Sequence, residues 1–525
     1  ETELMMMRVN TVLEKARSYY DKLDTMYILI QFYSLGAHSL SKSLEQSFLV
    51  LEQLGETFPT VLEPSIIGKE LLEVKTLLNQ YTPKSICEIQ PMNNKYKIKA
   101  MNFLMGSVIT CYQLKSPHHA MLCCRMVRLT LEWGMHENSG FGIGNFAMSF
   151  STAFRDIAEG YMIGKYVQAC TTRLTMPQCY WILYGGIKIW KEPMQAILPE
   201  LLKAYTAGMN ESGSITNALS ISMLYVYRAF FSGSKLLRLS KETASFMHMY
   251  SLYQRQTMRI ANTPISNAMA ALVGFDDPRM KKYIRGNEDC DQILTKSLAV
   301  NEITVAETVI VCKLMVSFIF RDMTKAEKIA RKHLPFLDTQ QGGPLQFINI
   351  YKYFYGGLIA FHLIRSNEHE DPYWLDFGLR AIEKFKAWTS ECEWNFQNSY
   401  LLLQAEHHFA TNDVENAKSM YKLAISSSKD HRFIHEEALS CECASIFYNS
   451  LDEEEISKRL VKRAIECYES WGAQEKANAL RNSSPLSSTR GPSPPITACS
   501  WEDESPRQPA SQGRIRRRSD LAAAA

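Results

Sequence analysis

Two glycines and an alanine in the segment SGFGIGNFAMS, residues 139–149, have a spacing that could bind a nucleotide. Gly142, Gly144 and Ala147 follow the order G-x-G-x-x-A. In dinucleotide-binding domains this order forms the turn that holds a pyrophosphate. Such a turn has a β-strand before it and an acidic residue about 20 positions after it.

The surroundings of this segment argue against a nucleotide site. The residues before it have the periodicity of a single helix that ends at Gly134. Asp156 and Glu159 follow too soon to contact a ribose. The sequence therefore predicts a loop between two helices, with its turn formed by Gly140, Gly142 and Gly144. No cofactor and no cofactor-binding residue is predicted.

Two histidines and two cysteines have the residue types of a zinc site: His118, His119, Cys123 and Cys124. His119 and Cys123 are four residues apart and so share one face of a predicted helix. A structural zinc site needs four ligands, and no second pair follows at the spacing of a zinc finger. We interpret these residues as buried thiols beside polar helix-start histidines, and predict no metal ligand.

Two further groups of histidines lie near the C-terminus. His407 and His408 belong to the sequence EHH, which is not the H-E-x-x-H of a zinc hydrolase, and we interpret His408 as a packing residue. His431 and His435, with Glu436 and Glu437, open a predicted helix, where acidic charge favours the helix dipole. Neither G-x-S-x-G nor G-x-x-x-x-G-K-[ST] occurs. We predict no catalytic residue. A hydrolase or nucleotide-dependent enzyme with an unrecognised site is the alternative.

Composition narrows the class of protein further. Of 525 residues, 46% are hydrophobic and 22% are charged, and the formal net charge is +3, as in many globular proteins. So small a charge argues against nucleic acid as a partner, which leaves a helical-repeat nucleic-acid binder as a weaker alternative. The thirteen cysteines are scattered and odd in number, which favours reduced thiols in the cytoplasm. No apolar run approaches the roughly 20 residues that cross a bilayer, so no membrane contact is predicted.

The elements that must position these residues are helices. Apolar residues recur at helical spacing almost throughout, and period-two alternation is rare, so the sequence predicts an all-α fold. The predicted helices include single helices over 5–20, 145–156 and 298–320, and no helix is predicted between those over 160–174 and 194–208. Many are joined by short connections, which are typical of antiparallel neighbours. Repeated helix pairs of similar length predict an α-solenoid.

Residues 400–430 have the spacing of a tetratricopeptide repeat, a unit of about 34 residues in which small side chains let two helices approach. The next segment, 433–471, repeats this pattern loosely. We predict that ten residues of these segments pack between helices: Ala405, His408, Ala417, Tyr421, Ala424, Phe433, Ala438, Ala464, Tyr468 and Trp471.

The repeats are clearest at the two ends of the chain. We predict a tetratricopeptide-like array over 1–263, an irregular joint over 264–297 and a second array over 298–481. Residues 482–525 are rich in Ser, Pro and Arg and lack apolar periodicity, which predicts a disordered tail. In this tail Ser519 follows three arginines in RIRRRSD. That pattern marks a candidate phosphorylation site. It equally suits a weak nuclear-import signal, a patch that binds an acidic surface, or no specific role.

Three motifs near the C-terminus form a larger pattern: A-x-x-x-Y-x-x-A-I, F-x-H-E-E-A-L and A-x-x-x-Y-x-x-W-G-A. They consist of Ala417, Tyr421, Ala424 and Ile425, then Phe433, His435, Glu436, Glu437, Ala438 and Leu439, then Ala464, Tyr468, Trp471, Gly472 and Ala473. This pattern resembles the end of the degenerate tetratricopeptide-like region in large multidomain signalling proteins. In that family a Ser/Thr-kinase-like domain and a STAND-type or ORC-like AAA ATPase precede the helical region, and sensor and histidine kinase domains often follow it. Residues 16–55 are similar to the start of the same region.

The resemblance covers about residues 1–481. It implies an α-solenoid that binds proteins, either the upstream ATPase or kinase domains of its own polypeptide or a separate partner. No kinase loop, Walker motif or histidine-kinase box occurs in the chain, and the chain begins without Met. We therefore expect a fragment whose catalytic domains lie elsewhere. An effector that prefers one curvature of the array would then bias the attached domain.

Overall fold

The computed structural model describes residues 2–36, 39–211, 214–339, 347–366 and 372–483. Within these ranges the chain has 25 α-helices and no β-strand, which confirms the all-α class. A single backbone bridge joins Pro91 and Met135. The tail predicted over 482–525 lies outside the described residues from 484 onward, and so does Ser519.

The helices of the first half are α1 Thr2–Lys15, α2 Tyr19–Gln31, α3 Leu40–Gln53, α4 Pro64–Leu78, α5 Pro83–Ile86, α6 Lys95–Gln113, α7 His118–Trp133, α8 Ser139–Phe154, α9 Ile157–Cys170, α10 Met176–Ile182, α11 Met194–Asn210, α12 Ile215–Phe231, α13 Leu236–Leu252 and α14 Gln256–Val273. Two π-helical turns, Phe32–Gly36 and Leu183–Ile187, follow α2 and α10, and a 3-10 turn follows at Lys188–Trp190.

The helices of the second half are α15 Pro278–Tyr283, α16 Cys290–Ala299, α17 Ile303–Ile319, α18 Met323–Thr339, α19 Ile348–Arg365, α20 Pro372–Glu391, α21 Glu393–Ala410, α22 Val414–Asp430, α23 Ile434–Asn449, α24 Glu454–Trp471 and α25 Gln474–Ser483. Residues 264–297 hold the end of α14, all of α15 and most of α16, with turns between them. The interpretation of this segment as a joint between two arrays stays a prediction.

Local sequence explains where two predicted helices are wrong. The helix predicted over 5–20 ends at Lys15, because Ser18 and Asp21 form a capping box that starts α2. The helix predicted over 298–320 is two helices, since Asn301 has a φ of 58° between α16 and α17. A left-handed residue ends a helix, and asparagine tolerates that conformation better than most side chains.

The second half of the chain packs as a regular series. From α17 to α24 each helix packs against the next one. In addition α17 packs against α19, α19 against α21, and α21 against α23. Helices α17, α19, α21 and α23 therefore form a row, which we call the inner row, and each of them is followed by a helix outside that row.

The two halves of the chain are packed against each other. Helix α14 contacts both α17 and α25. Trp190 stacks on Phe396 of α21, with ring centroids 5.4 Å apart, and Phe231 of α12 stacks on Tyr351 of α19 at 3.7 Å. The described residues from 2 to 483 belong to one compact unit. No helix among the described residues is both long and apolar enough to cross a membrane.

Candidate functional site

The glycine segment at 139–149 is helical, so the predicted loop is wrong. Helix α8 begins at Ser139, and its residues from Ser139 to Ala147 are all buried. Helix α7 precedes it and ends with Gly134 as its C-terminal cap, as expected. The residues of the G-x-G-x-x-A motif therefore lie within a helix that follows another helix, and they do not form a strand-to-helix turn.

The glycines let neighbouring helices approach α8 on two faces. A Cβ at Gly142 would lie 2.7 Å from the Cβ of Met126 on α7, and a Cβ at Gly140 would lie 2.8 Å from the Sγ of Cys179 on α10. Gly144 lies about one turn after Gly140 and also faces α10. Each helical glycine costs about 1 kcal/mol relative to alanine. Close packing on both sides offsets that cost.

The histidines and cysteines considered for zinc have other partners. His118 Nε2 lies 2.9 Å from the backbone oxygen of Pro59. His119 Nδ1 lies 3.2 Å from Ser149 Oγ and 3.9 Å from Cys123 Sγ. Burial lowers the pKa of His119 to about 4, so its ring is neutral near neutral pH. Within the described ranges, no three His, Cys, Asp or Glu side chains gather in a way that could hold a metal ion.

Nine of the ten predicted packing residues are buried, namely Ala405, Ala417, Tyr421, Ala424, Phe433, Ala438, Ala464, Tyr468 and Trp471. His408 is only half-buried, and its Nδ1 lies 3.1 Å from Asp413 Oδ2, at the cap of α22. The indole N–H of Trp471 donates to the backbone oxygen of Ser234, which lies in the first half of the chain.

A charged cleft opens where three helices of the inner row meet the turn after α17. Its volume is about 180 Å³. We call it the arginine cleft. It is lined by Arg321, Met323, His362, Arg365, Glu406, Phe409, Cys443 and Ile446. These residues come from the start of α18 and the turn before it, and from α19, α21 and α23.

Arg321 is held by a buried carboxylate. Its Nε donates to Glu442 Oε1 at 3.0 Å, and its Nη2 donates to Cys443 Sγ at 3.3 Å. Glu442 also accepts hydrogen bonds from Lys476 Nζ at 2.7 Å and from the Tyr468 hydroxyl at 2.8 Å. The Glu442 side chain is only 2% exposed. Three groups, from the turn after α17, from α24 and from α25, are thus joined at this one carboxylate of α23.

Arg365, at the end of α19, is bound by a buried glutamate in a closely similar way. Its Nη1 donates to Glu406 Oε2 at 2.6 Å, and the Tyr421 hydroxyl donates to Glu406 Oε1 at 2.7 Å. The guanidinium also lies 4.3 Å from the ring centroid of Phe409. Glu406 and Glu442 therefore each bind one arginine and one tyrosine, and each fixes its arginine at the cleft.

These contacts decide the charges in the cleft. Burial raises the pKa of Glu406 and Glu442, but the adjacent cations outweigh burial, and both pKa values are lowered overall. Both side chains are therefore carboxylates at neutral pH. Burial lowers the pKa of His362, which keeps its ring neutral. Two arginines and Lys476 face two carboxylates, so the cleft and the groups bonded to it have one positive charge in excess.

The chemistry of the cleft suits binding better than catalysis. Burial raises the pKa of the Cys443 thiol to about 12, so this cysteine is not an activated nucleophile. Met323, Phe409 and Ile446 supply an apolar wall beside the arginines. An acidic side chain with an apolar neighbour would match both parts of the cleft.

The sequence analysis identified the tyrosines of this site but not its charges. Tyr421 and Tyr468 were predicted as packing residues, while the bonds of their hydroxyl groups to Glu406 and Glu442 were missed. One signal was available, since these two glutamates are 36 residues apart, close to the repeat length. The arginines carry no such signal, because Arg321 lies in a turn and Arg365 ends a helix.

Comparison with known proteins identifies no relative of this chain. No protein-family model, no curated protein and no solved structure matches this chain. The class defined by the structure is an all-helical protein with a repeated packing pattern in its second half. The resemblance to multidomain signalling proteins stays a prediction.

Proposed function

We propose that this chain is a non-catalytic, tetratricopeptide-like α-solenoid that binds proteins and regulates an ATPase or kinase in cytoplasmic signal transduction. The catalytic domain would belong to the same polypeptide or to a separate partner. The packing of α17 to α24 supports this proposal, because helix pairs stacked through one row of helices are the architecture of solenoids. Solenoids offer extended binding surfaces formed by the repeats.

The arginine cleft is the observation that carries the proposal. It lies on the inner row and combines two arginines with an apolar wall. Glu406 and Glu442 hold the arginines in place, so a partner does not have to order two long side chains on binding. The excess positive charge favours an acidic segment of a partner protein.

The substitution Ile446→Asp tests this surface without breaking a buried ion pair. Ile446 is 43% exposed at the cleft, and an aspartate there removes apolar contact and repels an acidic partner. The tagged full chain is used to capture a partner, which is identified by mass spectrometry and purified. We expect the substitution to weaken the Kd for that partner by about tenfold, or about 1.4 kcal/mol.

The matched control is Leu423→Asp on α22. Leu423 is 45% exposed but lies outside the inner row. We expect it to change the Kd by less than about twofold. Equal losses for the two variants would contradict a role for the cleft. Stoichiometric binding of ATP or NAD in equilibrium dialysis would contradict a purely non-catalytic module.

A further inference from the structure

The two accessible thiols of the described chain lie at the ends of two helices that pack against each other. Of the twelve described cysteines, Cys87 is exposed and Cys170 is half-buried, while the other ten are buried. Burial raises the pKa of Cys170 and the Cys87 thiol raises it further, as expected of two thiols that lie near each other. Solvent therefore reaches Cys87, and a second thiol that is only half-buried lies nearby.

Secondary structure holds this pair in place. Cys87 is the C-terminal cap of α5, and Cys170 is the last residue of α9. Helices α5 and α9 pack against each other. The Tyr166 hydroxyl of α9 also donates to the backbone oxygen of Tyr81, just before α5, at 2.7 Å. The two thiols are thus carried by segments that are already joined.

A third thiol lies behind the pair. A Cβ at Gly140 would lie 2.8 Å from Cys179 Sγ and 3.8 Å from Cys170 Cβ, so both cysteines face the same point on α8. Cys179 is fully buried. Cys179 could form a disulfide with Cys170 in place of Cys87, so the experiment must distinguish these two pairings.

We propose that Cys87 and Cys170 form a redox modification site at which a peroxide produces an intramolecular disulfide. This proposal is independent of the proposed protein-binding function. The exposed sulfur of Cys87 reacts first, and the neighbouring sulfur of Cys170 resolves the product.

The chemistry balances with hydrogen peroxide as the oxidant. The Cys87 thiolate attacks one peroxide oxygen, the O–O bond breaks, and Cys87 sulfenic acid and one water form after proton transfer. The Cys170 sulfur then attacks the Cys87 sulfur, the S–O bond breaks, and the hydroxyl leaves as a second water with the Cys170 proton. Two thiols and one peroxide thus give one disulfide and two waters. Burial raises the pKa of Cys170 to about 12, which suits the resolving role better than the first attack.

The disulfide would tie the short helix α5 to the end of α9. These segments are far apart in sequence, so the bond closes a long loop of the chain. Opening of α5 away from α9 would then depend on the redox state. A reductant of the thiol class, such as dithiothreitol, would reverse the change.

The test exposes the reduced full chain to hydrogen peroxide and blocks the remaining thiols with N-ethylmaleimide. Peptide mass mapping follows. We expect a peptide that links Cys87 to Cys170, lighter by about 2 Da than the two reduced peptides together. It should exceed any link between the buried Cys441 and Cys467 by about tenfold, since oxidation follows exposure. A dominant link from Cys170 to Cys179 would overturn the proposal.

Single variants separate the two roles. In Cys170→Ser the Cys87 sulfenic acid should persist and react with dimedone, whereas Cys87→Ser should leave Cys170 reduced. The control Cys467→Ser should leave the cross-link unchanged, and so should Cys499→Ser, which removes the thiol outside the described residues. Loss of the cross-link in Cys499→Ser, or oxidation of Cys170 in Cys87→Ser, would overturn the assignment.

Discussion

Glu436 is a buried carboxyl group without a cationic partner in hydrogen-bonding range. Its Oε2 accepts hydrogen bonds from the Asn398 amide and from Ser399 Oγ, and the nearest ring nitrogen of His435 is 3.9 Å away. Burial raises the pKa of Glu436 to about 7, although these two hydrogen bonds lower it. Glu442, six residues later, is equally buried, but its pKa is lowered because it binds Arg321 and Lys476. The two carboxyl groups thus have pKa values shifted in opposite directions, because only Glu442 binds cations.

The raised pKa gives a definite pH dependence for Glu436→Gln. Burial favours the protonated form of Glu436 in the folded state. The contribution of this group to the free energy of unfolding is therefore fully present below the ordinary pKa of about 4.5, and it is lost as pH rises through about 7. Gln resembles the protonated form. We expect the variant to gain about 2 to 3 kcal/mol over the wild type between about pH 5 and about pH 8, measured by urea unfolding.

Glu442→Gln is the control for that measurement. It removes a carboxylate from a buried cluster of two cations, and we expect a loss of about 3 kcal/mol or more at about pH 8. The two substitutions should therefore change stability in opposite directions at that pH. A destabilised Glu436→Gln at about pH 8 would show that Glu436 is stabilised as a carboxylate.

Sequence reasoning did not separate these two glutamates. Glu436 was interpreted as a helix-start residue that favours the dipole, which is correct for its position in the first turn of α23. Its burial depends on helices α19 and α21 packing around it, and its lack of a cation depends on side chains far away in sequence. Neither property follows from local spacing.

At the scale of elements, α8 shows where helix periodicity succeeds and where it fails. Its second half was predicted, because Phe146 and Phe150 follow the helical period, but its first half was predicted as a loop. Glycine has a low helix propensity, and local reasoning gives that propensity full weight. The close approach of α7 and α10 to α8 is a tertiary effect, which local reasoning does not include.

Helix α10 was missed for a related reason. Pro177 lies in this helix, and Gly185 and Gly186 follow it in a π-helical turn.

Gly142→Ala tests the packing role of the glycines. Its Cβ would lie 2.7 Å from the Cβ of Met126, an atom next to the α7 backbone that cannot move freely. Overpacking costs up to about 3 kcal/mol and the gain in helix propensity is about 1 kcal/mol, so we expect a net loss of about 1 to 2 kcal/mol in unfolding free energy.

Gly68→Ala in α4 is the matched substitution. A Cβ there would have its nearest neighbour at 4.0 Å, so only the propensity gain should remain and the variant should be stabilised. The loop that the sequence predicted around Gly140, Gly142 and Gly144 would make Gly142→Ala nearly neutral. A neutral result for Gly142→Ala would therefore favour the loop over the helix.

At the scale of the whole molecule, the two predicted arrays are joined through a buried amide. Asn395 of α21 is 4% exposed. Its Oδ1 accepts from the Met194 backbone N–H at 2.9 Å, and its Nδ2 donates to the backbone oxygens of Ile189 and Glu192 at 2.7 Å and 2.8 Å. One side chain thus satisfies three backbone groups in the first half of the chain. The sequence around Asn395 gives no sign of this, because those partners lie about two hundred residues earlier.

Asn395→Ala tests whether this contact makes the halves unfold together. The substitution leaves two buried backbone groups and one partly buried backbone group without their partner, and we expect a loss of about 3 kcal/mol or more. If the halves unfold as one cooperative unit, urea unfolding should show a single transition at a lower midpoint with an unchanged slope. Asn478→Ala on the exposed face of α25 should leave the midpoint nearly unchanged. Two transitions, of which only one moves in Asn395→Ala, would instead support separate arrays at 1–263 and 298–481.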